Sequence, residues 1–223
     1  MIYKNILEDL SLDTINEMKT IHFTADLHHG HPKIINICNR PIDVINYNGI
    51  KNLKTNSDYK SKLDECHTNW LIQDVINKWV NKKDTLFILG DVSLSPREQA
   101  EKFIDKLNGN KFLILGNHDK NIKSSTRFSQ ITQIKDFTYS KDKLNIHIVL
   151  SHYPILSWNR KIHGSWHLFG HCHCRPLEIN NGLSFDVGID RLYKPYNLYE
   201  ICKIMIAKEQ KIYNDNNLLY LLK

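Results

Sequence analysis

Five short apolar runs punctuate the chain: Ile21–Ala25, Thr85–Leu89, Lys111–Leu115, Ile146–Leu150 and Trp166–Phe169. They are rich in β-branched and aromatic side chains and nearly unbroken in hydrophobicity. Strands covered on both faces read this way, whereas half-exposed strands alternate. Helical spacing lies between them. Asp64–Val80 carries Trp70, Leu71, Val75, Ile76 and Trp79 at helical intervals, and both tryptophans read as core. Ser95-Pro96 ahead of Arg97-Glu98 predicts an N-cap, a first-turn proline and a helix to about Leu107. Asn108-Gly109 is its predicted stop.

Strand and helix in alternation predict an α/β layered fold. Residues 131–150 and 176–190 differ. They read as consecutive short strands, with a hairpin turn at Asn180-Asn181-Gly182, and predict a second, more antiparallel sheet. Residues 1–18 read as a strand plus turn. Residues 36–66 are polar and irregular, the pattern of a long loop or insertion over one edge. Asn197–Ala207 reads as a helix and 214–223 as a short edge element. No repeat, linker or low-complexity tract divides the chain, so one domain is expected over 1–223.

Composition narrows the classes. With 223 residues and 41% hydrophobic content, the chain can bury a core. No apolar run reaches the roughly 18 residues of a spanning helix, so no membrane partner is expected. The opening MIYKNILEDL has Glu8 and Asp9 and lacks a small-residue cleavage site, unlike a signal peptide. Five cysteines, an odd number, fit a reducing compartment better than a disulfide framework, so a cytoplasmic location is expected, in the host if the source is a virus or phage. The net charge of +6 suits a phosphate-bearing partner without requiring one. There is no polybasic run or basic stripe with interleaved aromatics of the kind a dedicated nucleic-acid binder carries. The unusual number is 12 histidines.

Their placement gives that number its meaning. Asp26-Leu27-His28-His29-Gly30-His31 follows the first apolar run and Gly90-Asp91 the second. Gly116-Asn117-His118-Asp119 follows the third, Ser151-His152-Tyr153-Pro154 the fourth, and Gly170-His171-Cys172-His173 the fifth. Open α/β sheets bind ligands at the carboxyl ends of their strands, so five such ends converge on one place. Carboxylate, amide oxygen and imidazole together suit borderline divalent metals. Asp26, His28, Asp91, Asn117, His152, His171 and His173 are seven candidate ligands, too many for one catalytic ion with an open position. Two ions sharing a carboxylate would use them all, an arrangement suited to displacement at phosphorus. D-x-H and H-x-H spacing on extended chain would point both side chains the same way.

The ordered blocks D-x-H, G-D, G-N-H-D, H and G-H-x-H resemble the calcineurin-like metallophosphoesterase superfamily. DLHHGHPKI with Arg40-Pro41 downstream, LSHYPILSW and FDVGIDRLYKP resemble a small prokaryotic and phage-type branch of it. The resemblance implies a four-layer α/β/β/α sandwich with two mixed sheets. It also implies one ion on Asp26, His28, Asp91 and His173, and a second on Asp91, Asn117, His152 and His171. Mn2+ is the first expectation, with Fe, Zn, Ni, Co or Mg as alternatives. The implied activity is hydrolysis of a phosphodiester or phosphomonoester by a metal-bridging hydroxide. The substrate expected is a phosphorylated small molecule, a nucleotide or a nucleic-acid end. A pyrophosphohydrolase of nucleoside polyphosphates and a catalytically inactive phosphate-binding module are the alternatives.

Beside the ligands, His118 is placed to touch a phosphate oxygen or protonate the leaving group, and Asp119 to orient it. The protein phosphatases of this superfamily follow their G-D with an arginine-bearing segment. Gly90-Asp91-Val92-Ser93-Leu94-Ser95 has none, which counts against protein phosphatase activity. His31, Arg40 and Arg160 are the candidate substrate contacts. His22, His147 and His167 fall inside predicted strands and read as satisfied sheet residues, and His163 as water-facing. The cysteines of His171-Cys172-His173-Cys174 lack the spacing of a structural zinc site. Ser151-His152 lacks the nucleophile elbow of a serine hydrolase.

Overall fold

The computed structural model describes residues 7, 9–42, 56–173, 175 and 182–221. In chain order these form α1 (Leu12–Met18), β1 (Ile21–Thr24), α2 (Ile34–Ile37), α3 (Asn56–Trp70) and β2 (Thr85–Ile88). There follow α4 (Arg97–Lys106), β3 (Asn110–Ile114), β4 (Gln130–Thr132), β5 (Ile134–Lys141) and β6 (Leu144–Ser151). The last elements are β7 (Trp166–Phe169), β8 (Ser184–Asp186), β9 (Tyr196–Asn197) and α5 (Leu198–Leu221).

Two sheets result. The first has the order β4-β3-β2-β1-β9 and the second β5-β6-β7-β8. β1 to β4 are mutually parallel, and β9 closes the edge antiparallel to β1. One face of the first sheet, with Leu86, Ile88 and Leu113, packs on Leu71, Val75 and Ile76 after α3 and on Ala100, Phe103 and Ile104 of α4. The other face meets the second sheet. There Phe23 stacks on Phe87 (ring centroids 5.3 Å), which in turn stacks on Phe137 of β5 (5.6 Å). Ile146, Ile148, Leu150 and Leu168 fill the rest of that layer, closed by Met18 of α1 and by Ile201, Cys202 and Met205 of α5. These two mixed sheets flanked by helices are the fold expected from the sequence.

Several local expectations are corrected. Residues 12–18 are helical, not strand, and Ser11 caps that helix by accepting from Thr14 N–H. The segment 36–66 is not loop throughout, because α3 begins at Asn56 and continues through a π-helical turn at Leu71–Ile76. Residues 43–55 of that segment lie outside the described residues. Likewise 214–221 is not an edge element but the end of α5. The second sheet is antiparallel only at β5–β6; β6–β7 and β7–β8 are parallel. Asn180-Asn181 lies outside the described residues. Pro96 rather than Ser95 holds the cap position of α4 and makes no side-chain bond there. Trp70 is buried as expected, but Trp79 is 44% exposed, with Lys78 and Lys194 over its ring.

Candidate metal centre

The parallel order of the first sheet brings the ends of β1, β2 and β3 side by side. Pairing persists past the strands: Asp26 N–H donates to the Gly90 carbonyl, His28 N–H to Asp91 and His29 N–H to Val92. This fixes the first two motifs in register. Within that frame the ligand backbones are not extended. Asp26, His28, Asp91, His171 and His173 have φ of 62°, 53°, 55°, 69° and 49°, the left-handed region. Side chains two apart are thus aimed inward by turns, which corrects the extended-chain premise for D-x-H and H-x-H. Non-glycine residues rarely sit there, and Asp, Asn and His tolerate it best. The glycines make room. A Cβ on Gly90 would lie 2.3 Å from His152 Nδ1, and one on Gly116 2.4 Å from Asp91 Oδ1.

Two ligand clusters meet at Asp91. Asp26, His28 and His173 offer ligand atoms within 4.8 Å of one another, and so do Asp91, His152 and His171. Oδ2 of Asp91 lies 3.6 Å from His28 Nε2 and 3.5 Å from His152 Nε2, so this carboxylate stands between the clusters. Its other oxygen accepts from His118 N–H at 2.9 Å. Asn117 presents Oδ1 at 3.1 Å from His152 Nε2. All seven predicted ligands are therefore brought together.

The donor set fits cations. His152 Nδ1 sits 2.8 Å from the Leu89 carbonyl, which can only accept, so the ring proton lies on Nδ1. Its Nε2 then turns a lone pair toward Asp91 Oδ2 and Asn117 Oδ1, acceptor facing acceptors. His173 repeats the pattern, with Nδ1 on Asp190 Oδ2 at 2.6 Å and Nε2 turned to His28 Nε2 at 3.2 Å. Burial, then the neighbouring carboxylates Asp186, Asp91 and Asp190, hold the Asp26 carboxyl well above its usual range. Desolvation first, and His173 and Arg40 next, push His28 down to about 2, so its ring stays neutral and ready to coordinate. A divalent cation held there would satisfy these lone pairs and neutralise the carboxylates, so the residues present fit a metal.

The remaining candidates divide. The His118 ring lies 5.5 Å from that of His28 at an exposed tip beside the cluster. His31 is half-buried, 6.1 Å from His28; burial, then His118, lowers its pKa. Asp119 does not orient His118. Its carboxylate is 1% exposed and accepts from Asp91 N–H (2.9 Å), Gly116 N–H (2.8 Å) and Val92 N–H (2.8 Å). It clamps the two ligand loops together. Arg40 is not a substrate contact either. It is 4% exposed and donates to Asp190, to the Leu27 and Asp26 carbonyls and toward His67 Nε2. Arg160 caps a short 3-10 turn at Lys161–His163 with φ of 59°, and no contact among the described residues ties it to the ligands. His22 pairs with Asp84, His147 with Asp136, and His167 with backbone groups, so all three are sheet residues as expected. His163 is exposed as expected.

Two residues escaped the sequence reading. Burial alone would raise the Asp190 carboxyl, but hydrogen bonds from His173 and Arg40 outweigh it and hold it at about 2. It fixes the His173 ring, as carboxylates commonly do for coordinating imidazoles. Tyr153 lays its ring 4.7 Å from His171 and 5.0 Å from His152, and its hydroxyl donates to Asn117 Oδ1 at 3.4 Å. Both residues lie inside quoted motifs, FDVGIDRLYKP and LSHYPILSW, but their polarity alone did not separate them from their neighbours.

A fold of two mixed sheets with carboxylates, an amide and imidazoles converging at the strand ends defines a metal-dependent phosphoesterase class. The chain belongs to the calcineurin-like phosphoesterase family, whose sequence profile matches residues 19–215. Among its relatives, the uncharacterized protein MJ1445 of Methanocaldococcus jannaschii is 29% identical over 196 residues, covering 84% of this chain and 92% of that one. The gene 66 protein of Mycobacterium phage D29 is 26% identical over 200 residues, covering 78% and 89%. This second relative supports the phage-type branch. A solved structure, the protein of unknown function AQ665 from Aquifex aeolicus, shares the fold with a TM-score of 0.53 at 20% identity, over 82% of this chain and 98% of that one. Among the described residues no helix is long and apolar enough to cross a membrane.

Proposed function

We propose that the protein hydrolyses phosphate esters of nucleotides or of nucleic-acid ends, using two divalent ions with Mn2+ preferred. The observation that carries this reading is the Asp91 carboxylate standing between two ligand clusters. Asp26, His28 and His173 would hold one ion, and His152, His171 and Asn117 the other, with Asp91 common to both. When bound, the ions supply charge neutralisation and an activated water.

The chain's own groups do the rest. Leu89 and Asp190 fix the tautomers of His152 and His173, so that Nε2 faces inward on each. Asp119 holds the loops of Asp91 and Gly116 at a set separation. His118, exposed, with its backbone N–H held by Asp91 and its ring edge-on to His28, is placed to meet the leaving-group oxygen and pass it a proton. The test is turnover of p-nitrophenyl mono- and diesters by metal-stripped protein reloaded with Mn2+. Saturable hydrolysis that disappears in Asp91→Asn and His152→Ala supports the reading; absence of turnover with every metal tried overturns it.

A further inference from the structure

Beside the clusters lies a cavity of 470 Å³, at the carboxyl ends of β3, β4 and β6 where the first sheet hands over to the second. Leu115, Ile134 and Ile155 give it apolar walls, and Lys120 and Lys123 also line it. His152 belongs to both cavity and candidate centre, and Gly116 of the lining directly precedes the candidate ligand Asn117. Tyr153 joins the two, its ring edge against His171 and His152 and its body lining the cavity. Its turn is fixed by Ser151 Oγ–H donating to the Tyr153 carbonyl at 2.6 Å.

Three features ask for a ligand. Tyr153 and Ile134 are large and apolar yet 48% and 54% exposed, and both line the cavity. Neither Lys120 nor Lys123 has an ion-pair partner among the described residues, although both are exposed around a mostly apolar space. The volume falls in the range of about 300–1,000 Å³ usual for small-molecule sites. A phosphate alone would leave the apolar walls empty, and an aliphatic chain would leave the lysines unused. A planar aromatic ring on Tyr153, bearing a second anion toward the lysines, uses the aromatic, apolar and cationic parts of the lining together.

We propose that this cavity is the subsite for the organic part of the substrate, a nucleoside carrying a second phosphate, with Tyr153 beneath the base and Lys120 and Lys123 on the second phosphate. It deepens the phosphoesterase reading and rests on it for the position of the first phosphate. It implies preference for phosphodiesters between nucleotides, or nucleoside bisphosphates, over simple phosphomonoesters.

Equilibrium binding to the full chain loaded with Ca2+, chosen to suppress turnover, separates the two readings. The probes are inorganic phosphate, ribose 5-phosphate, adenosine 5′-monophosphate and adenosine 3′,5′-bisphosphate, measured by calorimetry, with ester turnover followed separately on the Mn2+-loaded chain. The monophosphate is expected to bind at least tenfold tighter than ribose 5-phosphate, and the bisphosphate tighter again. Lys120→Ala with Lys123→Ala is expected to erase the second gain, and Ile134→Asp to reduce the first. Equal affinities of wild-type protein for the four probes would overturn the subsite whatever the enzyme hydrolyses. So would unchanged preferences in folded variants, with folding checked by circular dichroism. Graded affinities without any ester turnover would uphold the subsite and sink the hydrolase reading.

Discussion

Replacing Asp119 by Asn changes the side chain's shape very little and its hydrogen-bonding capacity a great deal. The carboxylate accepts three backbone N–H groups, from Asp91, Gly116 and Val92, at 2.8–2.9 Å in a site 1% exposed. An amide offers one oxygen. Placed where Oδ2 stands, it keeps the Asp91 and Gly116 bonds, and the NH2 group then faces the Val92 N–H, donor against donor. A buried polar group stripped of its partner costs about 1–3 kcal/mol. One stranded donor gives a loss of about 2 kcal/mol. With a urea m-value of about 2 kcal/mol/M, that moves the unfolding midpoint down by about 1 M at unchanged slope. Asp119→Ala strands all three donors and is expected to lose more. Urea titration followed by circular dichroism at pH 7 reads both. Had Asp119 served to tune His118, the Asn variant would keep its midpoint and shift only the pH profile of turnover. A midpoint within about 0.3 M of wild type would therefore refute the clamp.

Other expectations follow from the same geometry. His118→Ala should lose most of its turnover while binding metal at wild-type stoichiometry, because only its backbone N–H touches Asp91; loss of metal, seen by elemental analysis, would contradict that role. Asp190→Ala frees the His173 ring and should weaken metal affinity about 10–100-fold in a competitive chelator titration. Arg40→Ala leaves Asp190 without its guanidinium and bares the Asp26 and Leu27 carbonyls, so stability should fall by about 3–5 kcal/mol, with the thermal midpoint as readout. His167 is held down to about 4, chiefly by burial, while it donates to the Val149 carbonyl and accepts from Ile155 N–H. The unfolded chain therefore binds the proton more tightly. Stability should be full above about pH 6.5 and decline toward pH 4 by about 3 kcal/mol, a slope that His167→Gln should flatten.

The five apolar runs became β1, β2, β3, β6 and β7 because strands covered on both faces admit few polar positions, and buried ones such as His22 and His167 are paired, to Asp84 and to backbone groups, so the hydrophobic run stays nearly continuous. The helix near the start is not legible for the opposite reason: Leu12–Met18 buries only Thr14 and Met18, too little to set up an apolar period. Of α5, the stretch to Ala207, whose apolar side chains pack on the inter-sheet layer, is legible as helix, and its continuation through 214–221 is not. The direction of β7 and β8 depends on the connection across 170–183, so alternation could suggest an antiparallel hairpin where parallel pairing prevails. The ligands were legible for a topological reason, since a polar residue after a buried parallel strand lands on the common rim. Arg40 and Asp190 lie 150 residues apart and meet only in the folded chain. A buried arginine and an exposed one look the same in sequence.

The left-handed ligand residues reconcile two demands that conflict. The turn after each strand needs φ > 0, which glycine provides most easily, but the same position must also carry a carboxylate or imidazole. Asp26, His28, Asp91, His171 and His173 accept the strained conformation, at about 1–3 kcal/mol each. Gly90, Gly116 and Gly170 absorb the close approaches beside them. What holds the strain is the set of bonds that continue the β1–β2 pairing, the Asp119 clamp, and the Asp26 carboxylate accepting from His171 N–H at 2.9 Å. Nearly all of these bonds run through backbone groups and through Asp119, which is not among the ligands. The inward aim of the ligand side chains is therefore set by backbone pairing between strand ends, and a substitution that breaks that pairing should disturb both clusters at once.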